Sequence, residues 1–294
     1  MSILAWLSVG AAHQLEISPE VVLVLLTAAS IGVAVATRAF PPRKINSRER
    51  IPADRSAVPL VAVLFGAMGV YLFVAASVDS VFHHRHSGTT QTVAPATMSP
   101  PEVAVQSTVI PLSAFVAFLL GDRLVFPLVR QDLGLGSRHI GGGFARGVLG
   151  AFVVVPPLYL LSQVMEIAYR GLRYNHPSEH PLLKVLGEKP GGAVMIAIII
   201  GACVLAPLFE ELLFRGHIQT LLKRLLRSNW AAIVLTSVLF SLVHPMWSWP
   251  VIFVLALCLG YAYERTGNLW VNITMHAAFN TVSTVLFLAG VYSH

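Results

Sequence analysis

From Ala193 to Phe214 the chain reads AVMIAIIIGACVLAPLFEELLF, an apolar run interrupted only by Glu210 and Glu211 and followed at once by Arg215. A helix needs about 20 mostly apolar residues to cross the hydrocarbon core of a bilayer, and this run supplies them. Charges at that depth cost from about 3 to over 10 kcal/mol, depending on the measure, so they mark a functional site by default. The chain must therefore fold in a way that gives two carboxylates and a guanidinium partners inside a membrane.

The rest of the sequence fits that demand. Only 12% of the 294 residues are charged and 55% are hydrophobic, with a mean hydropathy of +0.72. Soluble domains carry about 25% charged residues. Half that supply is too little to cover a soluble surface, and the composition defines an all-α polytopic membrane bundle. The net charge of +6 does not point to nucleic acid. Its basic residues lie in short loops between apolar runs, as membrane topology requires. Cys203 and Cys258 both sit in apolar runs and read as packed thiols rather than a disulfide or metal pair. The opening MSILAWLSVGAA lacks a positive n-region and is too short to span, so it reads as an interfacial segment.

Taken in order, the apolar runs predict about eight transmembrane helices. Helix 1 runs from Ser18-Pro19 to Arg38 and helix 2 from Val58 to Val78, followed by a polar loop holding His83, His84 and His86. Ser99-Pro-Pro-Glu102 is a capping box that opens helix 3, which ends near Gly121. A glycine-rich amphipathic connector leads to helix 4, Val148 to Ala168, where Pro156-Pro157 predicts a kink. A short helix capped by Ser178 and stopped by Gly187 precedes helix 5, which starts near Ala193. Helices 6, 7 and 8 cover Trp230–His244, Pro250–Glu264 and Leu269–Ala289. Residues 1–130, with helices 1–3, read as an N-terminal membrane extension and 131–294 as the core. With both termini outside the cytoplasm, the inner segments hold Arg38, Arg43, Lys44, Arg48, Arg50, Arg55, Arg123, Arg130, Arg138, Arg146, Lys223, Arg224, Arg227 and Arg265. The outer ones hold only Arg85, Arg170, Arg173, Lys184 and Lys189, and that asymmetry sets the expected orientation. The loop at 168–192 runs against it.

Three polar groups fall in the C-terminal helices: Glu210, Glu211 and Arg215; His244, four residues after Phe240; and His276 with Asn280. Spacing by four places Glu211 with Arg215, and His276 with Asn280, on one helix face. Glu210 points about 100° away from Glu211. Depth tests the grouping. If helix 5 continues to about Leu222, Glu210 lies about 20 Å from the inner boundary, His244 about 22 Å and His276 about 14 Å. Glu, two His and Asn at one depth suit hydrolysis. Burial lifts a carboxyl toward the range a general base needs. Histidine and asparagine offer donors to a developing oxyanion. Glu with two His is also a plausible zinc set, but His-Glu-x-x-His is missing, so a zincin is excluded.

Glu-Glu-x-x-x-Arg at 210–215, Phe-x-x-x-His at 240–244 and His-x-x-x-Asn at 276–280, in this order, resemble the CPBP family of intramembrane proteases. These are the CAAX-protease and bacteriocin-processing proteins, also called the Abi or type II CAAX prenyl endopeptidase family. The resemblance covers about Leu133 to Phe287. It implies an intramembrane endopeptidase, with Glu210 activating water, His244 assisting, and His276 with Asn280 forming the oxyanion site. It also implies that Glu211 and Arg215 hold Glu210 in position. A divalent metal such as zinc stays open as cofactor. The expected partners are a membrane-associated protein or peptide substrate and the lipid bilayer, not nucleic acid. The expected location is the cytoplasmic (inner) membrane of a bacterium.

Plainer readings stand beside this one. Glu211 and Arg215 also read as a structural pair, Glu210 as a proton-relay carboxylate, and His276 with Asn280 as interhelical glue. His217 shares the face of Glu210 two turns away and reads as structural. The three histidines at 83–86 read as a solvated polar loop, and Trp247 and Trp249 as an outer aromatic belt. A non-catalytic scaffold and a proton-coupled transporter are the competing functions. The lack of paired repeats argues against the transporter.

Overall fold

The computed structural model describes residues 19–36, 58–86, 98–125, 133–136, 140–177 and 180–290, and these are helical with short connections. We number the helices α1 (Pro19–Ala36), α2 (Val58–His86), α3 (Pro100–Val125), α4 (Ile140–Gly171), α5 (Pro181–Gly187), α6 (Gly192–Leu226), α7 (Asn229–Leu242), α8 (Trp249–Thr266) and α9 (Leu269–Leu288). Six of them, α2, α3, α4, α6, α8 and α9, are long and apolar enough to cross a membrane. Two more apolar helices are shorter, Val21–Val35 within α1 and Asn229–Leu242. Among the described residues, the expected count of about eight spans is met by six full-length helices and two shorter ones. The 14 residues of α7 reach about 21 Å, well short of the hydrocarbon thickness of about 30 Å.

Local signals account for most boundaries. The backbone N–H of Ser99 donates to Glu102 at 3.3 Å, as the capping box requires. Ser228 caps α7 by accepting from the N–H of Ala231, and Asn268 caps α9 by accepting from that of Trp270. Gly267 takes the left-handed conformation (φ 62) that lets α8 turn back into α9. Other boundaries move. The segment after Val78 continues as helix to His86, so the predicted polar histidine loop is the end of α2. Helix α3 likewise extends past Gly121 to Val125, and α4 begins at Ile140 rather than Val148, taking in the glycines of the predicted connector. The short helix is capped by His180, while Ser178, the expected cap, lies outside the described residues, as does the interfacial segment at 1–12.

Three glycines of α4 have a packing reason. A Cβ at Gly147 would lie 2.4 Å from Cβ of Thr274 and 2.8 Å from the carbonyl oxygen of Val271. One at Gly143 would meet Trp270 at 2.6 Å, and one at Gly150 would meet Met275 at 2.7 Å. The stripe lets α9 lie directly on α4, the small-residue packing that helices use in lipid, where burial of apolar surface gives no drive. It also sets the depth and rotation of α9, which carries His276 and Asn280. Large side chains such as Phe65 and Phe73 of α2 and Ile167 of α4 point outward, as lipid contact requires.

Gly147→Ala is expected to lower stability by about 1–3 kcal/mol, because the new methyl meets backbone as well as side chain. Gly69→Ala, with open space around it, is expected to be neutral or to raise stability by up to about 1 kcal/mol. Thermal melts of the two variants in one detergent check both.

Candidate active site

Helix α6 is not a regular α-helix. Two π-helical stretches, Gly201–Leu205 and Leu212–Gln219, flank the α-helical turn Ala206–Glu211. The wider π ladder leaves carbonyls for side chains to satisfy, and such bulges gather at functional sites. Here the Arg215 carbonyl accepts from the Thr220 hydroxyl at 3.1 Å, and the Leu212 carbonyl from His217 Nδ1 at 2.9 Å. The Ala202 carbonyl accepts from Asn280 Nδ2 at 2.8 Å, which ties α9 to α6. Gly201 permits this bend against α3, since a Cβ there would lie 2.5 Å from the carbonyl oxygen of Ser107.

The two glutamates differ in surroundings. Glu211 is fully buried, whereas the Glu210 side chain is 23% exposed. Arg215 Nη1 donates to Glu211 Oε1 at 2.9 Å, and His276 Nδ1 lies 2.9 Å from that same oxygen. Arg215, itself fully buried, also donates from Nη2 to the Ala256 carbonyl at 3.3 Å and stacks 4.6 Å over the Phe240 ring. His276 turns its other nitrogen toward Glu210, with 3.7 Å from Nε2 to Oε2. That is too long for a good hydrogen bond but close enough for charge interaction. His276 thus stands between a buried carboxylate that is held and one that is partly exposed.

Phe240 links the remaining pieces. Its ring meets His276 edge-on at 5.7 Å, Phe214 at 4.9 Å and His244 at 4.7 Å. His244 follows the last turn of α7, with Nδ1 2.7 Å from the Phe240 carbonyl oxygen. The non-helical segment after α7 finds internal partners, as backbone at membrane depth must. Trp249 Nε1 donates to the His244 carbonyl at 2.8 Å, and the Tyr169 hydroxyl to the Trp247 carbonyl at 2.8 Å. His176 stacks on Trp247 at 5.4 Å and lies 3.2 Å from Glu166.

The structure therefore brings Glu210, Glu211, Arg215 and His276 into one network and joins His244 to it through Phe240. Asn280 stands one turn beyond His276, bound to Ala202. His217 turns away from Glu210. It lies 3.0 Å from Asp122 of α3 and 4.5 Å from the Phe118 ring, a buried structural pair. Sequence reasoning passed over Tyr71, stacked at 5.3 Å on Phe209 and within electrostatic range of Glu210. It also missed Glu264, which is buried and bound to Lys223 at 3.0 Å and to Gln219 at 3.1 Å. Nothing in the spacing of these residues marked them. A third omission is His180, whose imidazole is pushed down to about 4, first by burial and then by His244. As for zinc, among the described residues no three His, Cys, Asp or Glu side chains stand together as a ligand set. His276 Nδ1 is engaged with Glu211 Oε1, which already meets Arg215 as well. The residues do not fit the metal.

A long-helix membrane bundle with a buried Glu–Arg–His network is the class that fold and site define. Residues 192–282 match a family model described as "Rce1-like: Type II CAAX prenyl endopeptidase Rce1-like". The match spans all seven motif residues, and it is the family to which the three motifs point. No curated protein and no solved structure matches the chain.

Arg215→Met leaves Glu211 buried without its cation, and removing one partner of a buried pair costs about 3–5 kcal/mol. The variant is expected to melt far below the parent. Acid gives a second test. The folded His180 resists protonation, so between its ordinary 6.5 and about 4 the unfolded chain binds more protons. Stability is expected to fall as pH drops through that window, and less so in His180→Asn. Melts across pH 4 to 7 read this directly.

Proposed function

We propose that the protein is an intramembrane endopeptidase that hydrolyses a peptide bond of a membrane-associated protein or peptide. The observation that carries the reading is the division between the two glutamates. Glu211 is bound by both Arg215 and His276 at 2.9 Å, while Glu210, one residue away, keeps a partly open carboxylate with His276 at 3.7 Å. A carboxylate in that position can take a proton from water. The resulting hydroxide attacks the carbonyl carbon, and the proton passes to the nitrogen as the C–N bond breaks. His276 stands beside Glu210, able to steady it before the step and to donate toward the negative oxygen during it. Asn280 uses one amide N–H on Ala202 and keeps the second for the same oxygen. His244 assists from the far side of Phe240.

The type II CAAX prenyl endopeptidase description supports a peptide-bond hydrolase, and a prenylated C-terminal peptide is one candidate substrate. The long apolar helices support a bilayer environment. We place both termini on the non-cytoplasmic side of a bacterial inner membrane from the distribution of Lys and Arg. The competing scaffold reading has Arg215, Glu211 and His276 holding the bundle and nothing more.

Glu210→Gln distinguishes them. Membranes expressing the parent are expected to contain peptide termini that vanish with Glu210→Gln, while the variant melts within a few degrees of the parent. Removing a general base typically costs about 100- to 10,000-fold. A full set of termini with the variant would leave the scaffold.

A further inference from the structure

His244 stands on a turn rather than in a helix. Helix α7 stops at Leu242, and Pro245 keeps it from continuing. A side chain on a turn is aimed only as well as the turn is held. Part of the holding is local. The His244 backbone N–H donates to the Ser241 carbonyl at 3.0 Å, and its Nδ1 lies 2.7 Å from the Phe240 carbonyl oxygen. Trp249 Nε1 donates to the His244 carbonyl at 2.8 Å, and the Ser248 hydroxyl closes the turn on the Pro245 carbonyl at 2.7 Å.

The rest comes from the end of α4, 78 residues away in sequence. The Tyr169 hydroxyl donates to the Trp247 carbonyl at 2.8 Å. His176, just beyond α4, stacks on the Trp247 ring, with centroids 5.4 Å apart and planes 16° from parallel. Trp247 is thus held by its backbone and by its ring. The holders are themselves held. The Tyr169 ring meets His176 edge-on at 5.1 Å and Tyr174 at 5.3 Å. Glu166 lies 3.2 Å from His176 and accepts from Arg170 Nε at 2.9 Å. Glu166, Tyr169 and His176 lie outside the three motifs and outside the matched residues 192–282.

Resting on the endopeptidase reading above, we propose that Tyr169 is a positioning residue for His244: its hydroxyl, on the Trp247 carbonyl, fixes the turn after α7 and so the place from which His244 assists the reaction. The oxygen is what tyrosine supplies there, since phenylalanine would meet the ring contacts as well.

The test uses the full-length protein in vesicles. The probe is a synthetic peptide spanning a junction cleaved by the parent and not by Glu210→Gln. Tyr169→Phe removes the hydroxyl and keeps the ring. The expected result is a kcat lowered about tenfold, as loss of one hydrogen bond allows, with KM within about twofold, the pattern of an interaction felt in the transition state. In a His244→Ala background the same change is expected to alter kcat by no more than about twofold, because its route to the reaction is gone. A bond that only stiffens the bundle costs the same in both backgrounds, and that result overturns the proposal. An unchanged kcat, or a Tyr169→Phe protein that melts far below the parent, overturns it too, and all three leave the endopeptidase reading standing. Should His244→Ala cleave too slowly to time, ring nitrogen-15 NMR of His244 decides: resonances that Tyr169→Phe moves support the proposal, and unmoved ones overturn it. If no junction depends on Glu210, the endopeptidase reading fails and the proposal fails with it.

Discussion

A fully buried carboxylate has to be neutralised, and the C-terminal half of this molecule is arranged around doing that for Glu211. In lipid neither water nor salt offers relief, so the partners must come from the protein. Arg215 comes from the same helix and His276 from α9, both at 2.9 Å. The guanidinium needs its own support and finds it in the Ala256 carbonyl of α8 and the Phe240 ring of α7. One negative charge therefore ties together four helices. A buried pair of this kind is weak evidence of net stabilisation, since hydrophobic replacements often do as well. What it supplies here is position, because His276 cannot satisfy Glu211 without also facing Glu210.

The backbone of α6 serves the same end. A regular helix through 201–219 would pair these carbonyls along its own backbone ladder. The π stretches open them to Thr220, His217 and Asn280, so α9 is tied to α6 by main chain at Ala202 and by side chain at Glu211. The glycine stripe of α4 supports α9 from its other face. Two independent contacts, one polar and one steric, thus determine where His276 stands.

Much of this was legible in the sequence. The long apolar runs give the helices, and the i, i+4 spacing gives the Glu211–Arg215 pair, which survives even though a π stretch begins at Leu212. The capping box at Ser99 is a local signal, and the structure keeps it. What could not be read depends on tertiary contact or on departures from the 3.6-residue period. His217 was expected on the face of Glu210, but the π turns rotate it to Asp122. The glycines at 141–143 looked like a connector because glycine disfavours helix interiors, yet α4 runs through them, and at Gly143 the close approach of α9 leaves no room for a side chain. The eight expected spans included α7, whose 14 residues stop short of a full crossing and leave His244 on an internally bonded turn. Tyr71 carries no motif, and only folding stacks it on Phe209 beside Glu210.

The separation of roles between adjacent glutamates is the claim on which the functional account stands. Shortening each by one methylene tests it with the charge retained. Glu210→Asp is expected to melt like the parent while losing about 100-fold in cleavage, the scale of a 1 Å misplacement. Glu211→Asp, which pulls the carboxylate away from both Arg215 and His276, is expected to lower the melting temperature clearly. A Glu211→Asp protein as stable as the parent, beside a Glu210→Asp protein that unfolds or cleaves normally, would contradict the assignment.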